Sequence, residues 1–181
     1  MSTFILDSNT ILDTCGSREN SHQKINLSPI RNICYEFNHG SKNYNGFSDF
    51  DSELYITGYF KNDDGSDNFG KIPLKKIAPV FNKDMIKITT NDKIETSVLK
   101  SHQILLSDDH YIPVDKLMIG SVVAEFKISI KNKSKKFERK DSIVTSVEYD
   151  SECSQCHLDF DQLDKYNYNP IVNGLVIKSV I

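Results

Sequence analysis

Five consecutive residues, Cys153, Ser154, Gln155, Cys156 and His157, carry the most distinctive reactive spacing in this sequence. Two thiols three apart, followed at once by an imidazole, is the spacing that attaches a c-type haem, with the sulfurs on the vinyl groups and the histidine on the iron. Such attachment requires export, and the chain start, MSTFILDSNTILD, lacks the basic flank and long apolar centre of a secretory signal. A zinc half-site is the second reading. Cys153 and Cys156 would then need two further ligands from His157, Cys15 or Cys34, because no second Cys-x-x-Cys occurs. The third reading is an acidic loop facing solvent, with free thiols and no cofactor.

Two other groups invite a chemical reading. His102 stands between Val98-Leu99-Lys100-Ser101 and Gln103-Ile104-Leu105-Leu106, at the end of a short apolar run. A histidine there is by default a hydrogen-bonded structural residue, and a catalytic role needs a partner brought up by the fold. Between Lys127 and Lys140 lie Lys127, Lys131, Lys133, Lys135, Lys136, Arg139 and Lys140, with Phe137 among them. Such a stretch can clasp phosphates, but a single interleaved aromatic and long strand patterns on both sides favour a solvated hairpin tip over 127–141. Nucleic acid is therefore not an expected partner.

The elements that must position these groups read as β-strands. Short runs rich in β-branched and aromatic residues recur between turn signals, and few stretches carry apolar residues at helical spacing. Strands are expected at 4–5, 10–12, 33–37, 54–60, 71–77, 85–89, 96–98, 103–106, 121–130, 142–149 and 170–181. Asn, Asp, Gly, Ser and Lys cluster over 38–53 and 61–70, which predicts surface loops. Val114 to Met118, closed by Gly120, suits one helical turn connecting two strands. Asn173-Gly174 between Ile171-Val172 and Leu175-Val176 is the strongest short hairpin signal in the chain.

With 181 residues the chain can bury a core as one domain, 1–181, without metal or disulfide staples. Lysine and arginine number 22 against 25 acidic residues, a balance too even to argue for a polyanion or a membrane surface. No run of about 18 apolar residues occurs. The expectation is a cytoplasmic or virion-associated protein with neither a membrane partner nor a secretion signal, and with cysteines that stay reduced.

The stretch Val98-Leu99-Lys100-Ser101-His102-Gln103-Ile104-Leu105-Leu106, continuing to Pro113-Val114-Asp115-Lys116-Leu117-Met118-Ile119-Gly120, resembles the central block of the Hint family. These are the self-processing modules of inteins and hedgehog proteins, in which a histidine follows a strand and a Pro-x-x-Leu-x-x-Gly tail comes after. Tyr168-Asn169-Pro170-Ile171-Val172-Asn173-Gly174-Leu175-Val176-Ile177 is similar to the family's last hairpin, and Ser2-Thr3-Phe4 with Thr10-Ile11-Leu12 resembles its opening block. The resemblance implies an all-β fold with pseudo-symmetric hairpins. It also implies that Ser2 attacks the carbonyl before it while His102 protonates the departing nitrogen, a single-turnover self-cleavage without cofactor.

The departures limit that chemistry. Leu99 stands where the family places a threonine, Ser121 where it places an aspartate, and Lys178 and Ser179 where inteins carry histidine and asparagine. Without that asparagine no side chain can cyclise to release a downstream flank. The reading is a Hint-like protein derived from an autoprocessing element, with cleavage weakened or lost and its own flank or other proteins as partners. A non-catalytic structural or interaction component, for example of a viral particle, is the alternative, and haem-based electron transfer is the third.

Overall fold

A computed structural model describes residues 2–16, 26–30, 48–49, 54–131, 134–160 and 168–179. They form strands β1 (Ser2–Asp7), β2 (Ile11–Gly16), β3 (Asn26–Pro29), β4 (Ser48–Asp49), β5 (Leu54–Lys61), β6 (Asp67–Val80), β7 (Met85–Thr90) and β8 (Glu95–Leu99). After these come β9 (Gln103–Leu105), β10 (Tyr111–Pro113), a 3-10 turn at Val114–Lys116, β11 (Val122–Lys131), β12 (Ser134–Tyr149), β13 (Gln155–Phe160), β14 (Asn169–Val172) and β15 (Leu175–Lys178). The hydrogen-bonded order is β10-β9-β15-β11-β12-β7-β8-β1-β13-β6-β5-β14-β2-β3, with β4 beside β6.

Two strands are too long for a single partner, and their switch of partner folds the sheet over its core. Asp67 to Pro73 of β6 pair with β5, whereas the rest of β6 pairs with β13. Ser134 to Ile143 of β12 pair with β11, and Val144 to Tyr149 pair with β7 across an irregularity at Val144/Ser146. A bulge adds local twist, so each long hairpin turns a corner there. Inside the corners lies one cluster that includes Phe4, Leu6, Leu12, Ile56, Leu74, Ile88, Val98, Val144, Leu158 and Phe160.

The two halves repeat each other atom for atom around the β1–β2 and β8–β9 bends. The Thr10 N–H donates to Asp7 O at 2.9 Å, and the His102 N–H to Leu99 O at 2.9 Å. Ser8 N–H donates to Ser154 O at 2.6 Å, and Lys100 N–H to Asp84 O at 2.9 Å. The carbonyl of Thr10 receives Ile30 N–H at 2.9 Å, and that of His102 receives Val114 N–H at 2.8 Å. Thr10 is thus the pseudo-symmetric counterpart of His102. Each half then lends a strand to the other: β7 pairs with β12 and β8, and β13 pairs with β6 and β1. The all-β, pseudo-symmetric fold is the one expected.

Several local expectations change. Gln155 to His157, part of the 153–157 segment read as a solvent loop, begin the central strand β13 (Gln155–Phe160), because Cys156, Leu158 and Phe160 alternate inward behind polar neighbours. The loop expected at 61–70 shrinks to a turn over 62–66, since Asp67 to Gly70 pair with Gly58 to Lys61. The strand expected at 33–37 and most of the loop at 38–53 lie outside the described residues. The helical connector is a 3-10 turn at Val114–Lys116, and Gly120 takes φ 92°, a conformation glycine adopts without a Cβ penalty. The basic segment is the hairpin β11–β12.

Candidate functional site

His102 is delivered to the interior by the bend between β8 and β9, with no solvent exposure. Its Nε2 accepts the backbone N–H of Ile5 at 3.0 Å. An accepting Nε2 puts the proton of a neutral imidazole on Nδ1, and that atom has no hydrogen-bond partner among the described residues. Burial pushes the His102 pKa down to about 4, so the ring is neutral at pH 7. The Phe4 ring centroid lies 5.5 Å from the imidazole and 5.4 Å from that of Phe160, which closes one side with aromatic surface.

Ile5, Met85 and Leu99 form a small buried cluster, with Val80 and Cys153 packed against it. Residue 5 is the side chain that follows the nitrogen held by His102, and Leu99 precedes the histidine by three residues. Both positions are filled by hydrocarbon. In the other half of the molecule Thr10, the counterpart of His102, has a hydroxyl that is buried without a described partner.

Around this bend the beginning and end of the described chain meet. The Ser179 hydroxyl donates to the carbonyl of Thr3. The Thr3 hydroxyl donates to Asp159 Oδ1 at 2.6 Å, and His157 Nε2 lies 2.8 Å from the same oxygen. Burial alone would raise the Asp159 pKa, but the bonds from Thr3 and His157 outweigh it and hold the carboxyl below its usual range. Ser2 belongs to β1 and lies opposite Phe160. Its nitrogen precedes that of Ile5 by three strand residues, a span of about 10 Å. The imidazole is therefore engaged well downstream of Ser2. Sequence reasoning missed Ile5, Thr3 and Asp159. The only signal for them was the inward alternation of residues 155–160, hidden by the attention drawn to Cys153, Cys156 and His157.

Those three residues do not converge. Cys156 is 6% exposed and belongs to the core, whereas His157 sits next to it on the opposite face of β13 and binds Asp159. The Cys153 thiol donates to Asp150 O at 3.7 Å, and burial together with the Asp150 and Asp7 charges pushes its pKa up to about 11. A ligating or haem-linked sulfur needs access and, for a metal, the thiolate; this setting opposes both. Among the described residues no group of three or more His, Cys, Asp or Glu could hold a metal ion.

The basic hairpin spends part of its charge internally. Arg139 reaches Asp109 at 2.7 Å, Asp67 at 3.3 Å and the carbonyl of Ser107 at 2.9 Å, and Lys140 pairs with Asp92. Phe137 stacks on Phe69 with centroids 4.1 Å apart. These contacts tie the two long hairpins together. The side chains of Lys131, Lys133 and Lys135 lie outside the described residues.

No family model matches the sequence, and no curated protein matches it. Solved structures do. The transcription factor IIB Mvu mini-intein superposes with a TM-score of 0.65 at 14% identity, covering 97% of this chain and 99% of that one. The VidaL intein gives 0.61 at 15% identity over 97% and 96%, and the TvoVMA intein 0.60 at 14% over 96% and 96%. Agreement across nearly the whole of both chains, at identities too low to carry more than architecture, means that this protein has the Hint (hedgehog/intein) fold.

Proposed function

We propose that this protein is a Hint-fold module in which self-cleavage has been lost and the histidine has become a structural acceptor. The observation that carries the proposal is the 3.0 Å bond from Ile5 N–H to His102 Nε2. An acyl shift moves the carbonyl carbon of one residue onto the side chain of the next, whose nitrogen departs. The nitrogen at His102 belongs to Ile5, so the attacking atom would have to come from an isoleucine side chain, which has none to offer. Ser2 and Thr3 do carry hydroxyls, but their nitrogens lie about 10 Å and 7 Å upstream along the strand. The general acid and the nucleophile are out of register. The module then acts through its surface, on its own flanking polypeptide or on other proteins.

The test is the intact mass of the chain joined to a reporter upstream of Ser2, incubated with and without a thiol or hydroxylamine. The fusion is expected to remain whole. Release of the reporter near Ser2, abolished by Ser2→Ala or His102→Ala, would show that cleavage survives.

A further inference from the structure

We propose that Asn173-Gly174 is a self-modification site held in check by the fold. When the closing hairpin opens, the Asn173 side chain cyclises onto the Gly174 nitrogen, loses ammonia and becomes aspartate or isoaspartate. The hairpin demands this reactive dipeptide. Its two-residue turn takes φ 49° at Asn173 and 84° at Gly174, the pair of positive values that a type I′ turn needs. At residue 174 a Cβ would stand 3.0 Å from the carbonyl oxygen of Phe126, whose own N–H donates to Gly174 O at 2.8 Å and keeps the two backbones close. The nitrogen of residue 174 therefore carries a bare Cα, with no side chain to obstruct its attack on Asn173 Cγ.

The reaction needs no partner but water. Gly174 N gives its proton to solvent and bonds to Asn173 Cγ, the Cγ–Nδ2 bond breaks, and Nδ2 leaves as ammonia with a proton taken from water. Water then opens the five-membered imide at one carbonyl or the other. The main chain stays whole, because a backbone nitrogen attacks a side-chain carbon. In the folded chain that side chain is tied down: Oδ1 accepts Ile11 N–H at 2.6 Å, and Nδ2 donates to Glu95 O at 2.9 Å and to the Thr96 hydroxyl. The backbone is pinned as well, with Asn173 N–H on Ile11 O at 3.0 Å and Val172 paired with Leu175 across the turn. Bringing Cγ onto the Gly174 nitrogen requires the side chain to turn, and its three bonds resist. Conversion is one-way. An aspartate still accepts Ile11 N–H, but it sets an oxygen rather than a donor against Glu95 O. An isoaspartate adds a backbone atom to the turn and shifts the pairing of Val172 with Leu175. Either product loosens β15, which pairs with β9 right after His102, so the site keeps a permanent record of past opening.

The experiment incubates the full chain at alkaline pH in buffer, in sub-denaturing guanidinium and fully unfolded in guanidinium, and follows deamidation by peptide mass mapping. Asn45-Gly46, the same dipeptide elsewhere in the chain, sets the rate expected when unfolded. Asn173 should match it in the unfolded chain and react roughly a hundredfold more slowly in buffer, the scale of three ordinary hydrogen bonds. Sub-denaturing guanidinium should raise the Asn173 rate in step with the opened fraction. Thr96→Val, which removes one acceptor at nearly constant volume, should speed the reaction in buffer about fivefold and leave the unfolded rate unchanged. Asn173→Asp, which is the aspartate product, should unfold at a lower guanidinium concentration than the parent. Equal Asn173 rates in buffer and in the unfolded chain, no conversion of Asn173 when unfolded, a rate indifferent to sub-denaturing guanidinium, an unchanged rate in folded Thr96→Val, or an Asn173→Asp chain as stable as the parent would each overturn the assignment.

Discussion

The imidazole of His102 and the amide of Ile5 are locked across 3.0 Å, and the side chain next to that amide is buried hydrocarbon. In the function proposed above, this one relationship is what separates the fold from self-cleavage. The imidazole is fully buried, and the residue whose nitrogen it accepts from carries neither a hydroxyl nor a thiol.

Restoring the missing atom should restore the first half-reaction. In Ile5→Cys, the new thiol stands one residue beyond the Phe4 carbonyl, and His102 already holds the nitrogen that would depart. Incubation with a small thiol is expected to split the chain between positions 4 and 5, read by intact mass. The double variant Ile5→Cys with His102→Ala should stay whole. If the single variant shows no scission while its spectrum remains folded, the amide held by His102 is not positioned for acyl transfer.

The same histidine predicts how stability depends on pH. Its folded pKa is pushed down to about 4 by burial, while the unfolded chain has an ordinary histidine near 6.5. Below about 6.5 the unfolded state takes up a proton that the folded state refuses. Stability is therefore lost as pH falls from 6.5 towards 4 and levels off below that, by on the order of 3 kcal/mol in all. Urea unfolding at pH 7.5 and 4.5 checks this. His102→Gln should lose that part of the acid sensitivity, and an unchanged slope would show that the ring is not dry.

Asn173 fastens the closing hairpin to both halves. Its side-chain oxygen accepts Ile11 N–H at 2.6 Å, and its amide nitrogen donates to Glu95 O at 2.9 Å and to the Thr96 hydroxyl. With φ 49° it also occupies a left-handed position that asparagine tolerates better than alanine. Asn173→Ala should cost about 2–3 kcal/mol in urea unfolding, the sum of lost bonds and backbone preference. A change under 0.5 kcal/mol would be incompatible with these contacts.

The thiols should be slow. With its pKa raised to about 11, Cys153 is almost wholly protonated at pH 8, and Cys156 is shielded in the core. Iodoacetamide labelling mapped by mass should modify Cys153 roughly a hundredfold more slowly than a free cysteine, and Cys156 only on unfolding. Fast labelling of either in the folded protein would contradict the raised pKa of Cys153 or the core position of Cys156.

Much of this was legible in the sequence. The Asn173-Gly174 turn, the connector ending at Gly120 and the bend at His102 announce themselves because each depends on local chemistry: a glycine at positive φ, a proline before a short turn, a break between apolar runs. The strand β13 was not, because His157 and Asp159 on its polar face are placed by Ile5 and Thr3 roughly 150 positions away. The register of His102 against Ile5 rather than Ser2 was equally hidden. A two- or three-residue choice along one strand depends on which side chains fill the core, and Phe4 and Leu6 settle it from the far side of β1.

The exchange of β7 and β13 between the halves also fixes when this chain can fold. β1 finds its long-range neighbour only after residues 155–160 have been made, and at about 5–20 residues per second the ribosome takes roughly 8–30 s to supply them. Until then the first segment emerges with one edge unpaired and its oily side groups uncovered. This segment must be kept from sticking to others until residues 155–160 have emerged, so the completion of β1 waits on a strand made roughly 150 residues later.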